Sequence, residues 1–349
     1  MRKWGIFFLL SSVMLSFIWA NMNIRSPVKL TQKNADHHQH HIEDKPLWPL
    51  YFIEGSLYEW MDQSSNALIQ EFGQPVYKAP TPYGYTWWVY PYEDQYIQFG
   101  IENQQVVTIY ATGPNISIDP VSIGDPYEKV VDRFPLSEQP VYTSGRNQYE
   151  FKLSEEDVET RPLIQLNAGT FMQLYVDQFT SRISSVRLLT GDVLIRHQSY
   201  EMTYFGELPS IPDLDDDEWR TIEKARERQI FDITNVIRKR HGLRELEWDS
   251  QVSEVAYYHS MDMAKNKYFS HFTLGGDGLK ERLEKGEISY LSAGENIAAQ
   301  YQDAPAVMEG WMNSEGHRKA MLNPDYTHLG VGVYRDYYTQ NFLQKLVIP

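Results

Sequence analysis

Apolar residues recur at helical spacing through much of the C-terminal third of the chain. Residues 219–240 place them on one face, and the His-Gly pair that follows ends the pattern, so the spacing predicts a helix. A second helix is predicted after Asp249 or Ser250, either of which can cap it, and another after Asp303. The run 328–334, with glycine at alternate positions, predicts a strand, and a second strand follows it. We therefore expect helices flanking a small antiparallel sheet, an α+β fold.

Residues 52–198 are predicted to form a separate α+β domain built from two internal repeats. Each copy starts with a short helical pattern and continues into segments in which apolar and polar residues alternate, as in antiparallel strands with one buried face. The first copy begins at Ile53 and the second at Val121. We expect two α+β units packed together, with tyrosine and tryptophan side chains packing the sheets and no catalytic pattern.

The first twenty residues decide the expected compartment. A basic start at Arg2 and Lys3 precedes the uncharged, mostly apolar run 4–20, which is the pattern of a signal sequence. The run is also close to the minimum length of a membrane-spanning helix, so residues 1–20 predict either a cleaved signal or an uncleaved N-terminal anchor. Both alternatives predict an extracellular chain, either secreted or held at the outer face of the cytoplasmic membrane.

Two polar segments separate these parts of the chain. Residues 21–50 predict a solvated tether, and their histidine-rich stretch 37–41 offers a transition-metal site as the alternative interpretation. Residues 206–218 contain two prolines and an acidic run, which predict a hydrated linker. The C-terminal domain is then expected over residues 221–349.

Composition removes several classes of function. The net charge of −15 makes nucleic acid an unfavourable partner, because the chain repels phosphate backbones. The absence of cysteine excludes disulfides, thiolate metal sites, cysteine nucleophiles and lipoprotein anchoring. A hydrophobic content of 42% is ordinary and allows a real core in each domain.

Six motifs of the C-terminal domain occur in an order and spacing typical of one protein family. They are Asn235 to Leu246 with Trp248-Asp249, His259-Ser260-Met261-Asp262-Met263, Phe269-Ser270-His271, Gly294-Glu295-Asn296-Ile297, Trp311-Met312-Asn313-Ser314-Glu315-Gly316-His317-Arg318, and Leu329-Gly330-Val331-Gly332. On these residues, the segment 230–344 resembles the CAP superfamily, the cysteine-rich secretory, antigen 5 and pathogenesis-related (SCP-like) proteins. Residues 52–198 resemble the CAP-associated N-terminal domain of Gram-positive bacilli.

The resemblance implies a fold and a set of site residues. The family fold is a three-layer α-β-α sandwich, and the family carries two histidines and two acidic residues around a cleft. Carried over by motif, these are His271, Glu295 and His317, whereas Glu315 is fitted to the second acidic position across a shortened connection. We expect Trp248 and Trp311 to be core anchors, and His259 to be a core residue with a satisfied hydrogen bond.

Three functions are compatible with this cluster. His271, His317 and Glu295 could bind Zn²⁺ or another divalent cation, and no organic cofactor is implied. A Glu–His pair could also activate water in a peptidase-like hydrolase of the cell envelope, although no hydrolase motif accompanies it. We favour a non-catalytic module that binds a lipid, glycan or protein of the envelope, touches the membrane only through its N-terminal segment and forms no obligate oligomer. A purely structural role for the four residues is the remaining alternative.

Overall fold

A computed structural model describes residues 23–25, 28–32 and 57–345, apart from positions 93, 115 and 135. The predicted signal or anchor at 1–20, the histidine-rich stretch 37–41 and most of the predicted tether lie outside the described residues. None of the helices in the described part of the chain combines the length and the apolar character that a membrane span needs.

The described residues form eighteen strands, nine α-helices and one 3₁₀ turn at Leu57–Trp60. The strands are β1 Asn23–Ile24, β2 Leu30–Gln32, β3 Tyr77–Pro80, β4 Thr86–Pro91, β5 Tyr96–Glu102, β6 Gln105–Thr112, β7 Ser117–Ile118, β8 Val121–Ser122, β9 Val141–Ser144, β10 Asn147–Lys152, β11 Leu163–Gln165, β12 Thr170–Asp177, β13 Arg182–Thr190, β14 Glu201–Phe205, β15 Glu247–Trp248, β16 Ser292–Ala299, β17 His328–Tyr334 and β18 Tyr337–Gln344. The helices are α1 Ser65–Phe72, α2 Tyr127–Arg133, α3 Glu155–Thr160, α4 Gly191–His197, α5 Asp216–Arg240, α6 Ser250–Asn266, α7 Leu279–Lys285, α8 Ala304–Met312 and α9 Glu315–Met321.

The chain divides into two compact units. One is Pro27–Gly242, and the other combines Leu243–Pro349 with Met1–Ser26. The long helix α5 belongs to the first unit. We call them the N-terminal unit and the C-terminal unit.

A single antiparallel sheet of seven strands organises the N-terminal unit. Its order is β11-β12-β13-β6-β5-β4-β3, so the strands of the first repeat continue directly into those of the second. The two repeats meet where β6 pairs with β13, from Thr112 opposite Ser185 to Thr108 opposite Leu189. The sequence predicts two α+β units packed together, and the structure shows how they join. They share one sheet, because edge-to-edge pairing satisfies the backbone groups that two separate sheets would leave at their edges.

Helix α5 is held on this sheet by polar contacts. Tyr77 donates a hydrogen bond of 2.8 Å to the Asp232 carboxylate, and Gln229 donates one of 2.8 Å to Gln98. Burial, with the neighbouring Asp232 charge, raises the pKa of Tyr77 well above its usual range, so the phenol stays a donor. These contacts place a polar face of the helix against the sheet.

Helix α5 begins at Asp216 rather than at the predicted Trp219, because the acidic run before it supplies a cap. The Asp215 carboxylate accepts from the amides of Asp217 and Glu218, and Glu218 accepts from the Asp215 amide in return. Acidic side chains in the first turn also suit the helix dipole. The end of the acidic run is therefore helical.

The C-terminal unit is a five-stranded sheet with helices on both faces. The strand order is β1-β16-β18-β17-β15. Helix α6 packs on β17 and β18, and α8 and α9 pack on β16. Helix α6 lies on one face of the sheet, and α8 and α9 lie on the other. A side chain added at Gly330 would meet Val252 of α6, whereas one added at Gly294 would meet Tyr326, which follows α9. This arrangement confirms the predicted three-layer α-β-α sandwich.

Helix starts in this unit follow the predicted caps, while one of the two predicted core tryptophans is misplaced. Asp249 caps α6 and Asp303 caps α8, each through its carboxylate. Trp311 is fully buried and its indole N–H donates to the Ile297 carbonyl at 3.1 Å. Trp248, by contrast, is 38% exposed, because it lies on the two-residue edge strand β15, which has a neighbour on one side only.

Two glycines let helix α6 approach the sheet backbone. A Cβ at Gly332 would lie 1.9 Å from the Tyr257 amide nitrogen, and one at Gly330 would lie 2.3 Å from that of Ser253. Ser253 and Ser260 then donate directly to the carbonyls of Val331 and Gly332 at 2.6 and 2.9 Å. The glycine alternation seen in the sequence therefore sets the distance between helix and sheet.

We predict that Gly332→Ala destabilises the C-terminal unit. The added methyl must push the backbone of α6 away from the sheet, and overpacking of this kind typically costs about 1–3 kcal/mol. Urea unfolding of the purified chain measures the change. Gly275→Ala is the matched control, because its nearest neighbour is the Thr273 hydroxyl at an ordinary 3.7 Å. Equal midpoints for the two variants would contradict the close approach.

The start of the predicted tether is built into the two units. Strand β1 runs parallel to β16, with Asn23 opposite Ala298 and Ile24 opposite Ala299, and the Arg25 amide donates to the Ala299 carbonyl at 3.2 Å. Strand β2 runs parallel to β14 in the N-terminal unit. Residues 21–50 are therefore not a free tether over their whole length.

Removing β1 is expected to weaken the C-terminal unit. A chain that starts at residue 23 keeps the strand, and one that starts at residue 26 loses it together with the contact between the Arg25 guanidinium and Gln302. The shorter chain should unfold at a lower urea concentration, because the Ala298–Ala299 edge loses its partner strand. Identical midpoints would show that β1 contributes nothing to stability.

Candidate functional site

A buried carboxylate lies at the centre of the candidate site. Glu295 is in β16, where its side chain is 4% exposed. One of its oxygens accepts from His271 Nδ1 at 2.9 Å, and the other accepts from Arg282 Nη2 at 2.5 Å. His271 follows α6 in a loop, and Arg282 is on α7, so the carboxylate connects three separate elements.

Arg282 was not predicted as a site residue. It lies on a short helix with several charged residues, yet the Arg282 side chain is only 9% exposed. A signal for it exists in the sequence, because Arg282 lies three residues after Leu279 and beside the buried Leu283. That spacing puts it on the inward face of α7.

The environment keeps Glu295 ionised. Burial alone would raise the pKa of its carboxyl, but the His271 hydrogen bond and the Arg282 charge outweigh burial and hold the pKa below its usual range. A carboxylate with a depressed pKa and both oxygens engaged is a weak base. Glu295 is therefore suited to fixing its neighbours rather than to removing a proton from water.

The carboxylate also fixes the tautomer of His271. A carboxylate can only accept, so Nδ1 of His271 must carry the proton that it donates to Glu295. In the neutral ring, Nε2 then carries the lone pair. The His271 side chain is 28% exposed, so this acceptor lies at the edge of the site and not in the core.

His259 lies behind this pair on the buried face of α6. Its Nε2 donates to the Ser270 carbonyl at 3.0 Å, and the residue is 1% exposed. Burial lowers the pKa of His259 to about 4, against an opposing attraction from Glu295, and the Arg282 and His271 charges add to the lowering. The expected core position is confirmed, and the ring stays neutral near pH 7.

His317 and Glu315 occupy a different part of the C-terminal unit. His317 is buried in α9, where its Nδ1 lies 2.8 Å from the Ser314 hydroxyl and its carbonyl accepts from Asn296. Glu295 and Asn296 are consecutive strand residues, so their side chains point to opposite faces of the sheet. Glu315 is exposed on the first turn of α9.

The structure thus brings His271 and Glu295 into direct contact. Within the described ranges, no three histidine, cysteine, aspartate or glutamate residues are grouped in a way that could hold a metal ion. Zn²⁺ binding by His271, Glu295 and His317 therefore stays a prediction.

Two family models and two Bacillus subtilis proteins match this chain. Residues 61–200 match the model of the CAP-associated N-terminal family. Residues 231–346 match the model of the cysteine-rich secretory protein family, and this second matched segment starts inside α5. The chain is 44% identical to the Bacillus subtilis membrane protein YlbC over 297 residues, 85% of this chain and 86% of YlbC. It is also 39% identical over 123 residues to B. subtilis YkwD, 35% of this chain and 48% of YkwD.

Two solved structures share the fold. An extracellular SCP-domain protein from Bacillus anthracis is 38% identical, with a TM-score of 0.79 over 89% of this chain and 100% of that one. The cysteine-rich secretory protein SAV1118 of Staphylococcus aureus is 26% identical, with a TM-score of 0.74 over 84% of this chain and 94% of that one. The chain therefore belongs to the CAP, or SCP-like, protein family and carries the family's associated N-terminal domain.

We predict that His259 makes the stability of the chain depend on pH between about 6.5 and 4. The unfolded histidine takes up a proton near its ordinary pKa of 6.5, whereas the folded one does so only near a pKa of about 4. Protons therefore favour the unfolded chain in this window, and stability present above pH 6.5 is lost as the pH falls. The difference between the folded and unfolded pKa values of His259 corresponds to a loss on the order of 3 kcal/mol in the free energy of unfolding.

The measurement compares urea unfolding of the wild type and His259→Gln at several pH values. Glutamine can still donate to the Ser270 carbonyl but does not titrate, so the difference between the two chains isolates the ring. His328→Gln, in which the replaced ring contacts Thr327 and Glu247, is the matched control. A wild type and a His259→Gln chain with parallel pH curves would contradict the prediction.

Proposed function

We propose that the chain is an extracellular, non-catalytic ligand-binding module of the cell envelope. The observation that carries this proposal is that both Glu295 oxygens are engaged, one by His271 and the other by Arg282. A hydrolase of the Glu–His type needs a group that takes a proton from water, and Glu295 is unsuited to this because it is ionised, buried and doubly hydrogen-bonded. Only Nε2 of His271 could act as such a base, and no hydrolase motif accompanies it in the sequence. The same arrangement suits recognition, because it holds one imidazole rigidly.

His271 is the proposed recognition group. The hydrogen bond from Nδ1 to Glu295 fixes the direction of the Nε2 lone pair. A carboxylate orients a metal-binding histidine in the same way when it accepts from the ring nitrogen that does not bind the metal. An acceptor of this kind binds the hydroxyl or amide N–H groups that glycans and peptides of the envelope present. The same nitrogen could accept Zn²⁺, which makes metal binding the second candidate.

The N-terminal segment is proposed to export the chain and, if it is retained, to anchor it. The related YlbC is described as a membrane protein, and the related B. anthracis protein as extracellular. Only Asn21 and Met22 separate the apolar run from β1. Since an extended residue spans at most about 3.6 Å, an uncleaved segment would hold the edge of the C-terminal sheet within roughly 10 Å of the bilayer.

Co-sedimentation with isolated Gram-positive cell walls tests the proposal. The wild-type chain should bind saturably and release no soluble wall fragments. His271→Asn keeps a donor near the position of Nδ1 for Glu295 but removes Nε2, so it should bind roughly threefold to tenfold more weakly. His328→Asn is the matched control and should bind like the wild type.

Other outcomes separate the alternatives. Release of soluble wall fragments by the wild type, lost in His271→Asn, would establish the hydrolase instead. Isothermal titration with ZnCl₂ that shows binding abolished in both His271→Asn and His317→Ala would establish the metal site. Wall binding that is unchanged in His271→Asn would remove this histidine from the recognition site.

A further inference from the structure

Five buried polar atoms gather behind the His271–Glu295 pair. They are Nδ1 of His259, Nε and Nη1 of Arg282, and both amide atoms of Asn341, and none has a hydrogen-bond partner among the residues that the structure describes. Leaving a buried donor or acceptor unsatisfied typically costs about 1–3 kcal/mol, so folded proteins contain few such atoms. Five such atoms on three side chains around one carboxylate indicate a bound group that satisfies them together.

The three side chains lie on the same face of the sheet. Asn341 of β18 is the direct cross-strand partner of Glu295, so the two side chains project to the same side. Arg282 is bound to that carboxylate, and His259 interacts electrostatically with both Glu295 and Arg282. Helix α6 covers this face and excludes bulk water.

The unsatisfied groups define what can occupy the space between them. Because Nε2 of His259 donates to the Ser270 carbonyl, its Nδ1 is an acceptor, as is the Asn341 carbonyl oxygen. Arg282 and the Asn341 amide nitrogen supply donors. The charge of Arg282 is already balanced by Glu295, so an ion would leave an uncompensated charge in the interior.

We propose that His259, Arg282 and Asn341 form a buried hydration site, in which ordered water molecules join His259 of α6 to Arg282 and Asn341 beside the Glu295 carboxylate. Water both donates and accepts, carries no charge, and commonly makes about three hydrogen bonds to buried groups of this kind. Arg282 acts here as a positioning residue. The water holds the half of the guanidinium that Glu295 does not bind, and Arg282 in turn orients Glu295 and His271.

Asn341→Leu distinguishes a hydrated site from a dry one by the sign of its effect. Leucine has a similar shape but can neither donate nor accept. In a hydrated site it removes two partners of the water and leaves Arg282 unsatisfied, so Tm should fall by roughly 2–8 °C. In a dry site it replaces an unsatisfied amide with an apolar group, and Tm should stay the same or rise.

Asn296→Leu serves as the reference, because the Asn296 amide donates to His317 and Gln340. This variant should lower Tm whether the site at Asn341 is hydrated or dry. A crystal structure of the wild-type chain that shows ordered water supplies the direct test and does not depend on a variant that folds. Water within hydrogen-bond distance of Arg282 Nε or Nη1 and of the Asn341 amide is expected. An apolar-packed space without water there, or a Tm that rises in Asn341→Leu, would overturn the proposal.

Discussion

The buried ion pair between Glu295 and Arg282 is the constraint on which the C-terminal site depends. Both side chains are almost fully removed from solvent, at 4% and 9% exposure, so each charge needs the other. Removing one partner of a buried pair typically costs about 3–5 kcal/mol, because the remaining charge is left uncompensated. The pair therefore fixes α7 against β16, and the second carboxylate oxygen fixes the loop that carries His271.

This constraint also limits the proton chemistry that is open to Glu295. A residue that must stay ionised to hold two elements together cannot also exchange protons freely with a substrate. Burial would raise the pKa of Glu295, but the His271 hydrogen bond and the Arg282 charge hold it below its usual range, and the same hydrogen bond imposes the tautomer on His271. The site presents one oriented imidazole nitrogen, Nε2 of His271.

The N-terminal unit uses polar contacts in a different way. There the hydrogen bonds of Tyr77 and Gln98 connect the sheet to Asp232 and Gln229 of α5. The cysteine-rich secretory family match begins at residue 231, within this same helix. Helix α5 thus packs within the N-terminal unit, although the first residues of the family match lie in its sequence.

Much of the C-terminal fold could be predicted because local signals agreed with the tertiary structure. The caps at Asp249 and Asp303, the alternation of Gly330 and Gly332, and the burial of Trp311 each follow from short-range patterns. The motif order identified the family, and the contact of His271 with Glu295 agrees with it. The exposure of Trp248 could not be predicted, because it depends on the position of β15 at the edge of the sheet.

The sequence alone determined the family and the class of fold, and it placed His271 and Glu295 in one candidate cluster. Only the tertiary structure decided that Arg282, a charged residue on a short polar helix, is buried and completes the pair, that Glu315 stays exposed, and that the two repeats share one sheet. The physical reason is the same in each case. Helical spacing and strand alternation are local, whereas the partner of a buried charge and the neighbour of an edge strand are set by residues far away in the chain.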